Sequence, residues 1–178
     1  MGVGYGAQEL IVIMDKSKEK SSARISSNIA GILALVWMCV IFAFSAQTKE
    51  ESGAVSEGFS YRLVNTTGKL FHLNIDAEKV REIANSIEHF VRKAAHMTEY
   101  AILAILLYIW MRRWRKSRIR TAGLAAVSAV LYACSDECHQ LFVAGRAGRI
   151  NDVLIDSAGA VLGLALFLFI GRLLRKAR

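Results

Sequence analysis

The chain has 178 residues, 54% of them apolar and a further 13 glycine, with no proline. A soluble domain reaches about 45–50% on that count, so disorder and proline-rich linker architectures are excluded. There are 23 basic against 15 acidic residues, a net charge of +8, and the placement of these charges beside long apolar runs points to a membrane rather than to nucleic acid.

The N-terminal stretch holds a short apolar run with no basic segment before it and no small-residue cleavage site after it. A cleaved signal peptide is therefore not expected. Gly2 opens a near match to a myristoylation pattern, which fails because Gly6 stands where serine or threonine is needed. Residues 1–27 read as a cytoplasmic N-terminal segment, and residues 28–46, free of charge, as the first span. Residues 47–93 are the only extended connection. Within it Val80, Ile83, Ala84, Ile87 and Val91 recur at helical spacing, which predicts an amphipathic helix over 77–91 lying at the outer interface and leading into the next span.

The second span covers 94–110, interrupted by His96 and Glu99. The third covers 121–143, its charges gathered near its end at Asp136, Glu137 and His139. The fourth covers 153–170 with the single charge Asp156, and a basic tail, 171–178, follows. A helix rises about 1.5 Å per residue, so runs of this length cross about 30 Å of hydrocarbon. The predicted fold class is all-α: a polytopic membrane protein, residues 28–170 forming a four-helix transmembrane bundle with one interfacial helix. No internal repeat is evident.

Basic residues set the orientation. Lys16, Lys18, Lys20 and Arg24 precede the first span; Arg112, Arg113, Arg115, Lys116, Arg118 and Arg120 lie between spans two and three; Arg172, Arg175, Lys176 and Arg178 follow span four. With four crossings all three groups fall on one side, and the positive-inside rule places both termini in the cytoplasm of a cell membrane. Trp110 and Trp114 then sit at the cytoplasmic boundary, while Trp37, Tyr108 and Tyr132 read as core or interface aromatics. Cys39, Cys134 and Cys138 do not form a disulfide framework and read as small packing residues.

An ionisable group inside a span costs at least about 2.5 kcal/mol at the centre and needs a reason. In this orientation the costly groups converge. Arg92, Lys93, His96, Glu99 and Tyr100 open span two; Asp136, Glu137, His139 and Gln140 close span three; Asp152 and Asp156 open span four; Ser45 and Gln47 end span one. Arg92, His96 and Glu99 share one helix face. Between spans three and four the sequence Ala-Gly-Arg-Ala-Gly-Arg, residues 144–149, permits a tight turn that projects Arg146 and Arg149 beside the carboxylates. Guanidinium groups bind phosphate or carboxylate bidentately, so with Arg92 and Lys93 the loop suits an anion.

The stretches FSAQ (44–47), RKAAHMTEYAIL (92–103) and SDECHQLFVAGRAGRINDVLIDSAGA (135–160) resemble the VanZ-like membrane proteins. The match runs from about Val40 to Gly163, with three polar motifs in order on hydrophobic helices. One departure is Ala144, where the loop commonly carries proline. The resemblance implies a small bacterial membrane protein, and the family's namesake is associated with teicoplanin-type glycopeptide resistance. The family's polar set corresponds here to Arg92, Lys93, His96, Glu99, Tyr100, Asp136, Glu137, His139, Gln140, Gly145, Arg146, Asp152 and Asp156. No reaction comes with the family name.

From the residues, several uses of this cluster stay open. As a catalyst, His96 or His139 would act as general base oriented by Glu99 or Asp136. As a binding module, Arg92, Lys93, Tyr100, Glu137, Gln140, Arg146, Arg149, Asp152 and Asp156 would hold an anionic membrane lipid or a lipid-linked wall precursor. An ion- or proton-coupled translocator and simple locking pairs between helices are the alternatives. The same four groups could ligate zinc or manganese, but the paired-histidine spacing of zincins is missing, so neither metal nor cofactor is assigned. Gly159 and Gly163 form a G-x-x-x-G suited to close helix packing, within the bundle or in a homodimer.

Overall fold

A computed structural model describes residues 4–177, so Gly2 and Arg178 lie outside the described residues. The described chain is five α-helices in succession: α1 (Gly4–Ser45), α2 (Lys49–Leu70), α3 (Ala77–Met111), α4 (Arg118–Gln140) and α5 (Ile150–Lys176). Helix α3 is the hub, packed against each of the other four; α4 and α5 also pack together, and α1 touches α4 along a smaller seam.

Local chemistry sets the helix starts. Thr48 accepts a hydrogen bond from the Glu51 N–H while the Glu51 carboxylate accepts from the Thr48 N–H, a reciprocal cap that starts α2. Asp76 accepts from the Lys79 N–H at 2.7 Å and starts α3, and Ser117 does the same for α4 through the Arg120 N–H. Helix α5 has no cap from its own Arg149 side chain. Instead the Glu137 carboxylate, reaching across from α4, accepts the Arg149 N–H at 2.9 Å.

The core is rich in alanine, and many large apolar residues face outward. Ala34, Ala104, Ala125, Ala129, Ala133 and Ala160 are buried, whereas Ile32, Leu35, Leu131, Leu162, Leu166 and Phe169 face outward. A water-soluble bundle is built the other way round. Without water to drive association, helices in lipid gain by close backbone approach at small side chains. Gly159 and Gly163 show this directly: a Cβ on Gly159 would overlap the Met97 carbonyl oxygen, and one on Gly163 would overlap the Ala101 Cβ. Both glycines are thus taken up by the α3–α5 contact within one chain.

Among the described residues, three helices are long and apolar enough to cross a membrane: the Glu9–Ser45 part of α1, α3 and α5. Helix α4, which matches the predicted third span, falls outside that set and ends at Gln140 rather than at 143. The predicted interfacial helix over 77–91 is not a separate element. It is the first half of α3, continuous with 94–110, because no proline or glycine interrupts residues 77–111. The rest of the predicted connection is the unforeseen α2, which packs on that half of α3 and buries Ser60 and Gly68. Helix α1 likewise runs through residue 28 without a break.

Interhelical bonds from aromatic side chains fix the bundle. The Trp37 indole donates to the Glu99 carbonyl at 2.9 Å, tying α1 to α3. The Tyr132 hydroxyl donates to the Met38 carbonyl at 2.7 Å, tying α4 to α1. At the opposite end Ser27 donates to the Trp110 carbonyl, and Trp110 meets Trp114 edge to face at 5.4 Å. Cys39, Cys134 and Cys138 are exposed and unpaired.

Candidate functional site

The polar residues gather at the end of the bundle where α1 stops, α4 stops and α5 begins. The turn between α4 and α5 needs its glycines at two points. Gly145 has φ +73°, a left-handed conformation that a side chain would strain. A Cβ on Gly148 would sit 2.6 Å from the Glu137 carbonyl oxygen. So folded, the turn aims Arg146 back across the bundle. Its Nε donates to the Gln47 carbonyl at 2.9 Å, one terminal nitrogen to the Phe44 carbonyl at 3.2 Å, and the other to Gln140 Oε1 at 3.4 Å. Burial and, after it, the Arg92 charge lower the Arg146 pKa from its usual value, yet a guanidinium stays charged at neutral pH.

A cleft of about 560 Å³ opens beside Arg146, between α1, α2 and α3. That is within the range of ligand sites, about 300–1,000 Å³. Its walls are apolar: Trp37 and Phe44 from α1, Val55, Phe59 and Leu63 from α2, Val91 and Ile102 from α3. Its ionisable lining residues are Arg92, His96, Glu99 and Arg146, with His96 and Glu99 3.6 Å apart. Arg92, His96 and Glu99, expected on one helix face, all line this cleft. At the rim, Arg92 pairs with Glu88 and donates to Ser56 Oγ at 3.0 Å, and Ser56 in turn donates to the Glu88 carboxylate.

His96 joins this cleft to a buried carboxyl layer behind it. Its Nδ1 lies 3.6 Å from Glu99 Oε2 and 3.9 Å from Asp156 Oδ1. Asp156 is 2% exposed and Asp136 4% exposed, and one oxygen of each has no hydrogen-bond partner among the described residues. The other Asp136 oxygen accepts from Gln140 Nε2 at 3.3 Å, which completes a path from Asp136 through Gln140 to Arg146. Tyr100 is fully buried, 6.4 Å ring to ring from Tyr132, its hydroxyl also without a partner. Burying such groups unpaired costs about 1–3 kcal/mol each, which marks the layer as a place where stability is given up.

Other predicted site residues lie apart from the cleft. His139 packs its ring on Phe42, centroids 4.4 Å apart, and is absent from the cleft lining. Glu137 is engaged in starting α5. Arg149 contributes its backbone N–H while its side chain is exposed; Lys93 and Asp152 are half-buried and outside the lining. Among the described residues, no group of three or more His, Cys, Asp or Glu side chains is placed to hold a metal ion. The α2 contribution, Ser56, Val55, Phe59 and Leu63, escaped sequence reasoning. Its signal was present: a Thr48–Glu51 capping box followed by apolar residues four apart.

An all-helical bundle with an alanine-rich core, large apolar residues outside and a polar layer at one end defines a membrane-type helical protein. The VanZ/LLP1 family model matches residues 30–171. The chain belongs to the VanZ/LLP1 family. No curated protein and no solved structure matches it.

Proposed function

We propose that this VanZ-family protein takes up a membrane lipid or lipid-linked wall precursor by the charged group of its head and acts on it through His96. Four helices (α1, α3, α4, α5) cross a bacterial cell membrane in this reading, with both termini cytoplasmic and α2 folded against the outer half of α3. The cleft then opens towards the outer leaflet. Its support is the distribution of basic residues described above, and the length of α3, whose 35 residues extend to about 52 Å against about 30 Å of hydrocarbon.

One observation carries the functional reading: a ligand-sized cleft whose walls are mostly apolar and whose ionisable lining is Arg92, His96, Glu99 and Arg146. An amphiphile has the same division. Arg146 supplies free N–H groups to an oxyanion, and the apolar walls take a chain. His96 stands between the cleft and the buried Asp156, the position of a group that passes a proton to or from a bound head. Native mass spectrometry of the purified chain tests the binding step. A lipid should be retained by the native protein and by Lys93→Gln, and lost from Arg146→Gln while circular dichroism shows that variant still helical; equal retention by all three would refute the reading.

The proposed link to glycopeptide resistance adds a cellular readout. In a teicoplanin-challenged host, His96→Gln and Glu99→Gln should each abolish protection at unchanged membrane abundance. Protection that survives both substitutions would leave binding without chemistry as the function.

A further inference from the structure

The geometry points to a zwitterionic head group as the ligand of this cleft: a lipid whose phosphate meets Arg146 and whose primary ammonium meets Glu99. The inference rests on the lipid-binding reading above and narrows it to an aminophospholipid. Glu99 lines the cleft. Among the described residues, the only basic side chain within 4 Å of its carboxylate is His96, at 3.6 Å, beyond hydrogen-bond length. Arg146 lines the same cleft, and all three of its contacts are neutral oxygens: the Gln47 and Phe44 carbonyls and the Gln140 amide. No carboxylate lies within 4 Å of it among the described residues. Two of its five N–H donors are left over. Arg92 differs, since Glu88 already pairs with it.

The cleft thus presents a guanidinium and a carboxyl group, neither of them hydrogen-bonded to an oppositely charged side chain among the described residues. A head with only a phosphate would satisfy Arg146 and repel Glu99; a head with only a cation would do the reverse. A head that carries both a phosphate and an ammonium offers each of them a partner. The Glu99 oxygens are hydrogen-bond acceptors, so a primary ammonium with N–H donors fits better than a quaternary one. Partly buried pairs of this kind are screened by salt much less than exposed ones.

The test presents the unaltered protein with three lipids of equal chain length: phosphatidylethanolamine, phosphatidylglycerol and N-acetylated phosphatidylethanolamine, retention being read by native mass spectrometry. Phosphatidylethanolamine should be retained about tenfold more than either of the others. Glu99→Gln should abolish the preference, lowering phosphatidylethanolamine and relieving the repulsion of phosphatidylglycerol until the two are retained equally. Equal retention of all three lipids would overturn the zwitterion proposal and leave lipid binding standing. Retention of none would overturn both. The lipid series uses the native chain, so its outcome does not depend on how the Glu99 variant folds.

Discussion

Single atoms decide whether this bundle closes. A Cβ on Gly159 would overlap the Met97 backbone, and backbone cannot swing aside as a side chain can. Gly159→Ala should therefore destabilise the protein by about 1–3 kcal/mol, the range for overpacking a tight contact. Gly123 has nothing within 4 Å of the same position, so Gly123→Ala should be neutral or stabilise by up to about 1 kcal/mol through helix propensity. Denaturation in mixed micelles compares the two, and equal effects would contradict the packing account. Glu137→Ala removes the carboxylate that starts α5 and should cost about 1 kcal/mol, as a lost cap does. The close packing of the glycine pair was legible in the sequence from its spacing, and Arg92, His96 and Glu99 could be placed on one helix face in the same way. The direction of Arg146 was not, because three neutral oxygens from residues 44, 47 and 140 meet only once α1 and α4 are side by side. Nor was the engagement of Glu137, which depends on the Gly148 turn.

At the scale of elements, α2 and the first half of α3 form a hairpin that walls the cleft. Helix α2 packs on α3 and on no other helix to a comparable extent. Ser56, Glu88 and Arg92 link the two. Glu88→Gln weakens this link and should raise amide hydrogen exchange across residues 49–70 several-fold while α4 and α5 keep their protection; exchange rising equally in all helices would show that the hairpin is not a separate unit. The helical character of residues 77–91 could be read from its periodicity, and the absence of proline allowed α3 to be one rod. Helix α2 stayed hidden because its apolar stripe is sparse, with Gly53 and Gly58 among its polar residues. Such a stripe gains its meaning from the neighbour it covers, which no local window contains.

For the molecule as a whole, orientation is the testable property. In a background with Cys39, Cys134 and Cys138 replaced, Ser117→Cys should be shielded from an impermeant thiol reagent added outside, and Glu57→Cys should react. Both positions are exposed on the protein surface, so accessibility reports the side of the membrane; the opposite pattern would invert the proposed topology. The all-helical class and the apolar runs of α1, α3 and α5 were visible in composition and hydropathy. The number of crossings was less so, since α4 carries Arg118, Arg120, Asp136 and Glu137 at its ends and small residues between them.

That composition bears on how the protein is made. Helix α4 packs against α3 and α5, and in the proposed topology it leaves the ribosome after one of these partners and before the other. Being short of the apolarity that holds α1 in lipid unaided, it depends on α3 waiting beside the translocation channel and on α5 arriving to seal its other flank. Chains cut after residue 148 should leave α4 loosely held and open to proteolysis, so that the last helix completes the biogenesis of the one before it.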